Sequence, residues 1–258
     1  MQALIYPLSF KKADLAEVPQ NEVQLFLVSG QAANDVQILQ RLLILALNAL
    51  DRDKLSNLPA FAQAMFLVRT LATRIGAAWE GLDRYRKLLN DAEEWLTNDG
   101  RFGEIVEAAV QGRMTLADEM KNAKTPLRII RNKVGAHIDV EQIDAAFAAV
   151  CDDTEFLDLL SHVHGNMVHG AADDVVTRVV LGAVGGVNEA AINELARLLL
   201  NCAGALTGVC ACWSNYFYLK HLPAHFEAAL GNGIAAPDPK DLMALSLPTF
   251  ISDTPAMG

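Results

Sequence analysis

Apolar side chains that return every three or four residues, stretch after stretch, restrict this chain to one class of fold. Phe61, Met65, Val68, Ala72, Ile75, Trp79, Leu82, Tyr85 and Leu89 fall on one face of a helix drawn from about Ala60 to Asn90. Val36, Leu39, Leu42, Leu43, Ala46 and Leu50 do the same for a helix that Asn34 or Asp35 caps. Further helices are expected over about 103–121, from Pro126 to about Ala136 with Thr125 as N-cap, and over 140–150 and 154–163. Two more are expected over 173–184, closed by Gly185-Gly186, and from Asn188 to about His221, where Pro223 prevents continuation. Asn98-Asp99-Gly100 marks a turn, and Asp139 with Gln142 forms a capping box, so a bend is expected between Gly135 and Asp139. Val23–Val28 reads equally well as a short strand or as part of a helix.

Composition agrees. Hydrophobic residues make up 52% of the 258, with only 9 prolines and 4 tyrosines, and helix-forming alanine and leucine dominate. The expected fold is an all-α helical bundle with additional C-terminal helices. Its expected organisation is an N-terminal segment 1–33, a helical core 34–161, a C-terminal helical extension 162–225 packed on that core, and a loosely ordered tail 226–258. So much apolar surface implies a large core, or a core plus a self-association interface.

The formal net charge of −10 excludes a general nucleic-acid binder and leaves room for a local basic site. Leu198–Leu219 contains no charged residue and is long enough to span a bilayer. Asn201, Thr207, Ser214 and Asn215 interrupt it, so a helix buried in the bundle is expected and no membrane partner. Cys151, Cys202, Cys210 and Cys212 lack metal-site spacing and suit a reducing cytoplasm. The N-terminus does not read as a signal peptide.

Chemistry-bearing residues concentrate in Ile130-Arg131-Asn132-Lys133-Val134-Gly135-Ala136-His137. Arginine offers a fixed charge and a planar fork of donors for a phosphate. Histidine moves protons near neutral pH, and asparagine donates and accepts together. Between Arg113 and Lys133 stand six basic residues against Asp118 and Glu119, a locally positive stretch in an acidic chain that can steer a phosphate backbone.

Arg131-Asn132 followed by His137, at the start of a late helix in a helical bundle, resembles the HEPN superfamily, and more closely its abortive-infection type. The stretch from Asn34-Asp35-Val36 to Leu45 and the aromatic long helix around Trp79-Glu80 are also similar to that group, and the resemblance covers roughly 34–160. It implies a metal-independent, cofactor-free endoribonuclease acting as a homodimer on RNA, with an antitoxin or defence partner. It implies that His137 is the acid or base at the ribose 2′-hydroxyl, that Arg131 stabilises phosphate charge, and that Asn132 orients the site. Lys124, Arg128 and Lys133 would then contact RNA. Five residues lie between Arg131 and His137, one more than is commonest in the family and within its range. On a straight helix these two side chains point about a third of a turn apart, so a two-fold dimer is needed to bring both pairs around one cleft. A bland reading stands beside this one. Leu127, Ile130, Val134 and His137 share a helical face, which would make His137 a core-boundary residue in an inactive interaction or sensor protein of the same fold.

His162, His164 and His169 with Asp173 and Asp174 offer a third reading, a metal-binding helical protein, at a spacing that matches no known motif. His221 and His225 flank Pro223 and do not form a zinc-protease helix. Gly204 and Gly208 suit a close helix crossing within the chain or between chains. No phosphate-binding glycine loop or nucleophile elbow is present.

Overall fold

The helical period seen in the sequence is realised as an all-α helical bundle. The computed structural model describes residues 4–50, 54–132, 140–156, 158, 169–186 and 189–235. Among these residues there are nine α-helices: α1 (Gln20–Asn48), α2 (Lys54–Asp83), α3 (Arg86–Asp99), α4 (Gly103–Lys121), α5 (Pro126–Ile130), α6 (Val140–Ala148), α7 (Gly170–Gly182), α8 (Glu189–His221) and α9 (Pro223–Gly231). A 3-10 turn covers Lys12–Leu15, and β1 (Leu4–Ile5) pairs antiparallel with β2 (Ile234–Ala235).

Three boundaries differ from the sequence reading for identifiable reasons. α1 begins at Gln20 rather than near Asn34, so Val23–Val28 is helical. Its start follows Pro19, whose carbonyl accepts the N–H groups of Glu22 at 2.9 Å and Val23 at 3.1 Å. Ser29 and Gly30 lie within the helix: Ser29 Oγ donates to the Phe26 carbonyl at 3.0 Å, and burial of Leu25, Ala32 and Val36 outweighs the glycine's helix penalty. Asp35 is not a cap; it accepts from Gln31 Nε2 at 2.6 Å within the helix.

The helix expected over 60–90 is two helices. Asp83 is engaged by Arg86 at 2.7 Å, and the Tyr85 N–H bonds the Leu82 carbonyl at 2.9 Å, which tightens the chain before α3 restarts it. Leu82 and Leu89 stay buried on either side of that joint. Residues 226–231, expected to belong to a loose tail, form most of α9: Pro223 ends α8 and occupies the first turn of the next helix. The bend at Gly135–Asp139, and the tail from 236, lie outside the described residues.

The helices pack as two compact units. Among the described residues the first takes 4–37, 77–118 and 202–235, and the second takes those of 38–76 and 119–201. α1, α2, α4 and α8 each contribute residues to both, so packing units and chain order are different partitions.

In the first unit the core centres on α8. Trp213 and Phe217 are fully buried, and Phe217 stacks on Phe26 with ring centroids 4.2 Å apart. A side chain of that size contributes about 3 kcal/mol by leaving water. α4 and α8 approach closely: a Cβ at Gly112 would lie 2.5 Å from the Ala205 carbonyl oxygen, and one at Gly208 would lie 3.4 Å from that of Ala108. Gly208 therefore serves a crossing within the chain, whereas Gly204 faces open space. By length and composition α8 is apolar enough to cross a membrane; within this unit its Cys202, Leu206, Val209, Trp213 and Phe217 are buried.

In the second unit Leu43, Leu71, Ile75, Leu127, Ile130 and Leu181 are fully buried. α6 carries three alanines with Val140, Ile143 and Phe147, yet none of its side chains is buried, and Val140 and Phe147 are 65% and 59% exposed.

Candidate functional site

The motif sits at the end of α5. Thr125 and Pro126 occupy the N-cap and first helical positions, as expected. The Thr125 hydroxyl does not cap the helix; it donates back to the carbonyls of Glu119 and Asn122 and so closes the link from α4. Leu127 and Ile130 anchor the short helix with no exposed surface. Arg131 and Asn132 follow in a wider, π-type turn, and the Arg131 N–H is shared between the carbonyls of Leu127 and Arg128. Such turns recur at functional sites because they redirect side chains without ending the helix.

Arg131 is half-buried and Asn132 is exposed. The aliphatic part of Arg131 lies across Gly76 of α2: a Cβ there would stand 2.5 Å from Arg131 Cδ and 3.1 Å from its Nε. The missing side chain at Gly76 is what makes room for this arginine. His137 and Lys133 lie outside the described residues.

The basic stretch divides by environment. Lys121 and Lys124 are exposed. Arg128 turns back and donates to the Met120 carbonyl, which closes the C-terminal end of α4. Arg113 bonds Glu93 at 2.7 Å and Asn90 at 2.6 Å inside the first unit. Burial pushes the Glu93 carboxyl above its ordinary range, against the pull of Arg113.

Two charged groupings bring in partners that the sequence reading did not name. In the first unit, buried Glu22 accepts from Lys220 Nζ at 3.0 Å and from His221 Nε2 at 2.8 Å, and Lys220 also donates to the Tyr216 hydroxyl at 2.6 Å. Burial raises the Glu22 carboxyl, but the bonds from His221 and Lys220 outweigh it and hold the group below its ordinary value. This explains His221 by a specific partner rather than by the helix end alone.

In the second unit, Arg69 of α2 faces Asp173 of α7, while His169 and Asp158 meet at the start of α7. His162 and His164, proposed with His169 as metal ligands, lie outside the described residues. Among the described residues no three His, Cys, Asp or Glu side chains gather closely enough to hold a metal. A charged residue on the apolar helix α2 was the one available signal for Arg69; Asp158 had none.

Cys202, Cys210 and Cys212 are buried and Cys151 is exposed. Burial pushes the Cys210 and Cys212 thiols up to about 12. Compared with protein-family models, with curated proteins and with solved structures, the chain matches none.

Proposed function

We propose that the chain is a HEPN-like, metal-independent endoribonuclease of bacterial defence or toxin type, acting in the cytoplasm as a homodimer. The observation that carries this reading is the setting of Arg131-Asn132. The pair stands in a π-type turn beyond a firmly anchored helical turn, with Arg131 laid over a glycine that leaves it room. Arg131 supplies charge to a phosphate in the transition state, Asn132 orients the substrate, and His137 exchanges the proton of the ribose 2′-hydroxyl. Exposed Lys121 and Lys124, with Lys133, draw the RNA backbone. An antitoxin or defence partner would control such an activity.

The test is RNA cleavage by purified protein in chelator, comparing wild type with Arg131→Ala and His137→Ala. The expected outcome is cleavage by the wild type and loss of about 100-fold or more in either variant, with the helical signal unchanged. No cleavage by the wild type counts against the reading.

One observation favours a second reading, an inactive interaction protein of the same fold. Val140 and Phe147 of α6 are left largely exposed, as a partner-binding helix would leave them.

A further inference from the structure

Apart from the motif, one cluster in the second unit is arranged for proton transfer. His169 opens α7 with 67% of its side chain exposed, and its Nδ1 faces Asp158 Oδ2 at 3.7 Å. The other oxygen of Asp158 accepts the Ala171 N–H at 3.0 Å, so the first turn of α7 pins the carboxylate beside the imidazole. A carboxylate on the Nδ1 side holds the ring by one nitrogen and leaves Nε2 as the atom that meets a substrate. The separation is longer than a hydrogen bond, and catalytic contacts of this kind tighten when substrate binds.

Asp173 lies one turn further on, its N–H bonded to the His169 carbonyl at 3.1 Å. Arg69 of α2 acts on it electrostatically, and the Arg69 Nε is buried without a hydrogen bond. Burial holds the Asp173 carboxyl above its ordinary range although Arg69 and His169 pull it down. A carboxyl biased towards its neutral form leaves the charge of Arg69 incompletely matched.

Helix α2 links this cluster to the motif. Arg69 and Gly76 are seven residues apart, close to two full turns, so they share a face at a separation of about 10 Å. Arg131 lies over Gly76. One face of α2 therefore presents Arg69 beside the His169 cluster and seats Arg131 two turns away.

We propose that His169, oriented by Asp158, is a second proton-transferring residue for RNA cleavage, with Arg69 and Arg131 holding the phosphodiester backbone along α2. This rests on the endoribonuclease reading and adds to it a histidine outside the Arg131–His137 motif. In the step, the ribose 2′-hydroxyl gives its proton to the base of the motif as its oxygen bonds the adjacent phosphorus. The bond from phosphorus to the 5′-oxygen breaks, and that oxygen takes the proton carried by His169 Nε2. The products are a 2′,3′-cyclic phosphate and a 5′-hydroxyl, with no redox change. His169 is the catalytic residue and Asp158 a positioning residue.

The experiment uses the full chain in chelator with a single-stranded RNA oligonucleotide, and measures kcat and KM. His169→Gln should lower kcat by about 100-fold with KM within about twofold. Asp158→Asn should lower kcat by about tenfold with KM within about twofold, and should add little to the loss in the His169→Gln background, because it acts through that ring. An Asp158→Asn loss that persists undiminished in the His169→Gln background would overturn the orienting part of the proposal. Wild-type cleavage that His169→Gln leaves within about twofold overturns the inference alone and leaves the motif reading intact. A wild type that cleaves nothing overturns both.

Discussion

Gly112 in the first unit and Gly76 in the second each sit where an added Cβ would lie 2.5 Å from its neighbour. At Gly112 the neighbour is the carbonyl oxygen of Ala205, fixed in the backbone of α8. At Gly76 it is Cδ of Arg131, part of a flexible side chain in a π-type turn. The same closeness thus has two meanings. One crossing is a rigid packing contact that cannot yield, and the other is a seat for a movable charged group. The charges of the two units divide in the same way. Glu22, Lys220 and His221 meet at hydrogen-bond distance, whereas His169 stays largely in water with Asp158 held just beyond bonding range.

The largest expected effect that tests this contrast comes from Gly112→Ala. Overpacking against backbone should cost about 2 kcal/mol even after the gain in helix propensity, read as a fall in the urea midpoint. An unchanged midpoint would mean that α4 and α8 can slide apart. Glu22→Gln should cost about 1–2 kcal/mol at neutral pH, since it weakens the bonds of a buried carboxylate to two partly buried partners, Lys220 and His221. Its pH dependence sharpens the point. The folded carboxyl lies below its ordinary value of 4.5, so its contribution is fully present above that pH and is lost as pH falls through the folded value. Urea midpoints taken from pH 7 down to pH 3 should therefore drop more in acid for the wild type than for the variant. Gly76→Ala should move stability least, by under about 1 kcal/mol, because the atom it meets belongs to a side chain rather than to backbone and the helix gains propensity. It should nevertheless cut RNA cleavage by roughly tenfold through misplacement of the guanidinium. A large loss of stability with activity retained would make Gly76 a second Gly112 and dissolve the distinction.

The fold class was legible because it rests on period, and period survives local irregularity. α4 runs from Gly103 to Lys121, the bounds that its apolar face and its flanking turn imply. The α1 boundary was not legible, since Asn34 and Asp35 look like caps and Val23–Val28 is too short a run to tell helix from strand until tertiary burial of Leu25 and Val36 decides it. Tyr85 likewise sits on the apolar stripe and gives no sign of the joint between α2 and α3. At the candidate site, the types and order of Arg131 and Asn132 are visible in the sequence, but not that Gly76, 55 residues earlier, vacates the space that Arg131 fills. Nor could chain order place Asp158 against α7 or Arg69 opposite Asp173, because these are long-range pairings with no local signature. The basic stretch shows the limit in another way: Arg113 and Arg128 count as charge in the sequence but are committed to Glu93 and the Met120 carbonyl in the fold.

The division of the cysteines has a practical side. Only a thiolate reacts readily with maleimides and similar reagents. Cys210 and Cys212 are both buried and held in the thiol form, Cys202 is buried too, and Cys151 stands exposed between α6 and Asp158. The native protein therefore carries its own single attachment point. A fluorophore added without mutagenesis goes to a position seven residues from Asp158 and three from the end of the uncovered helix. It would report on RNA arriving at one place and on a partner arriving at the other.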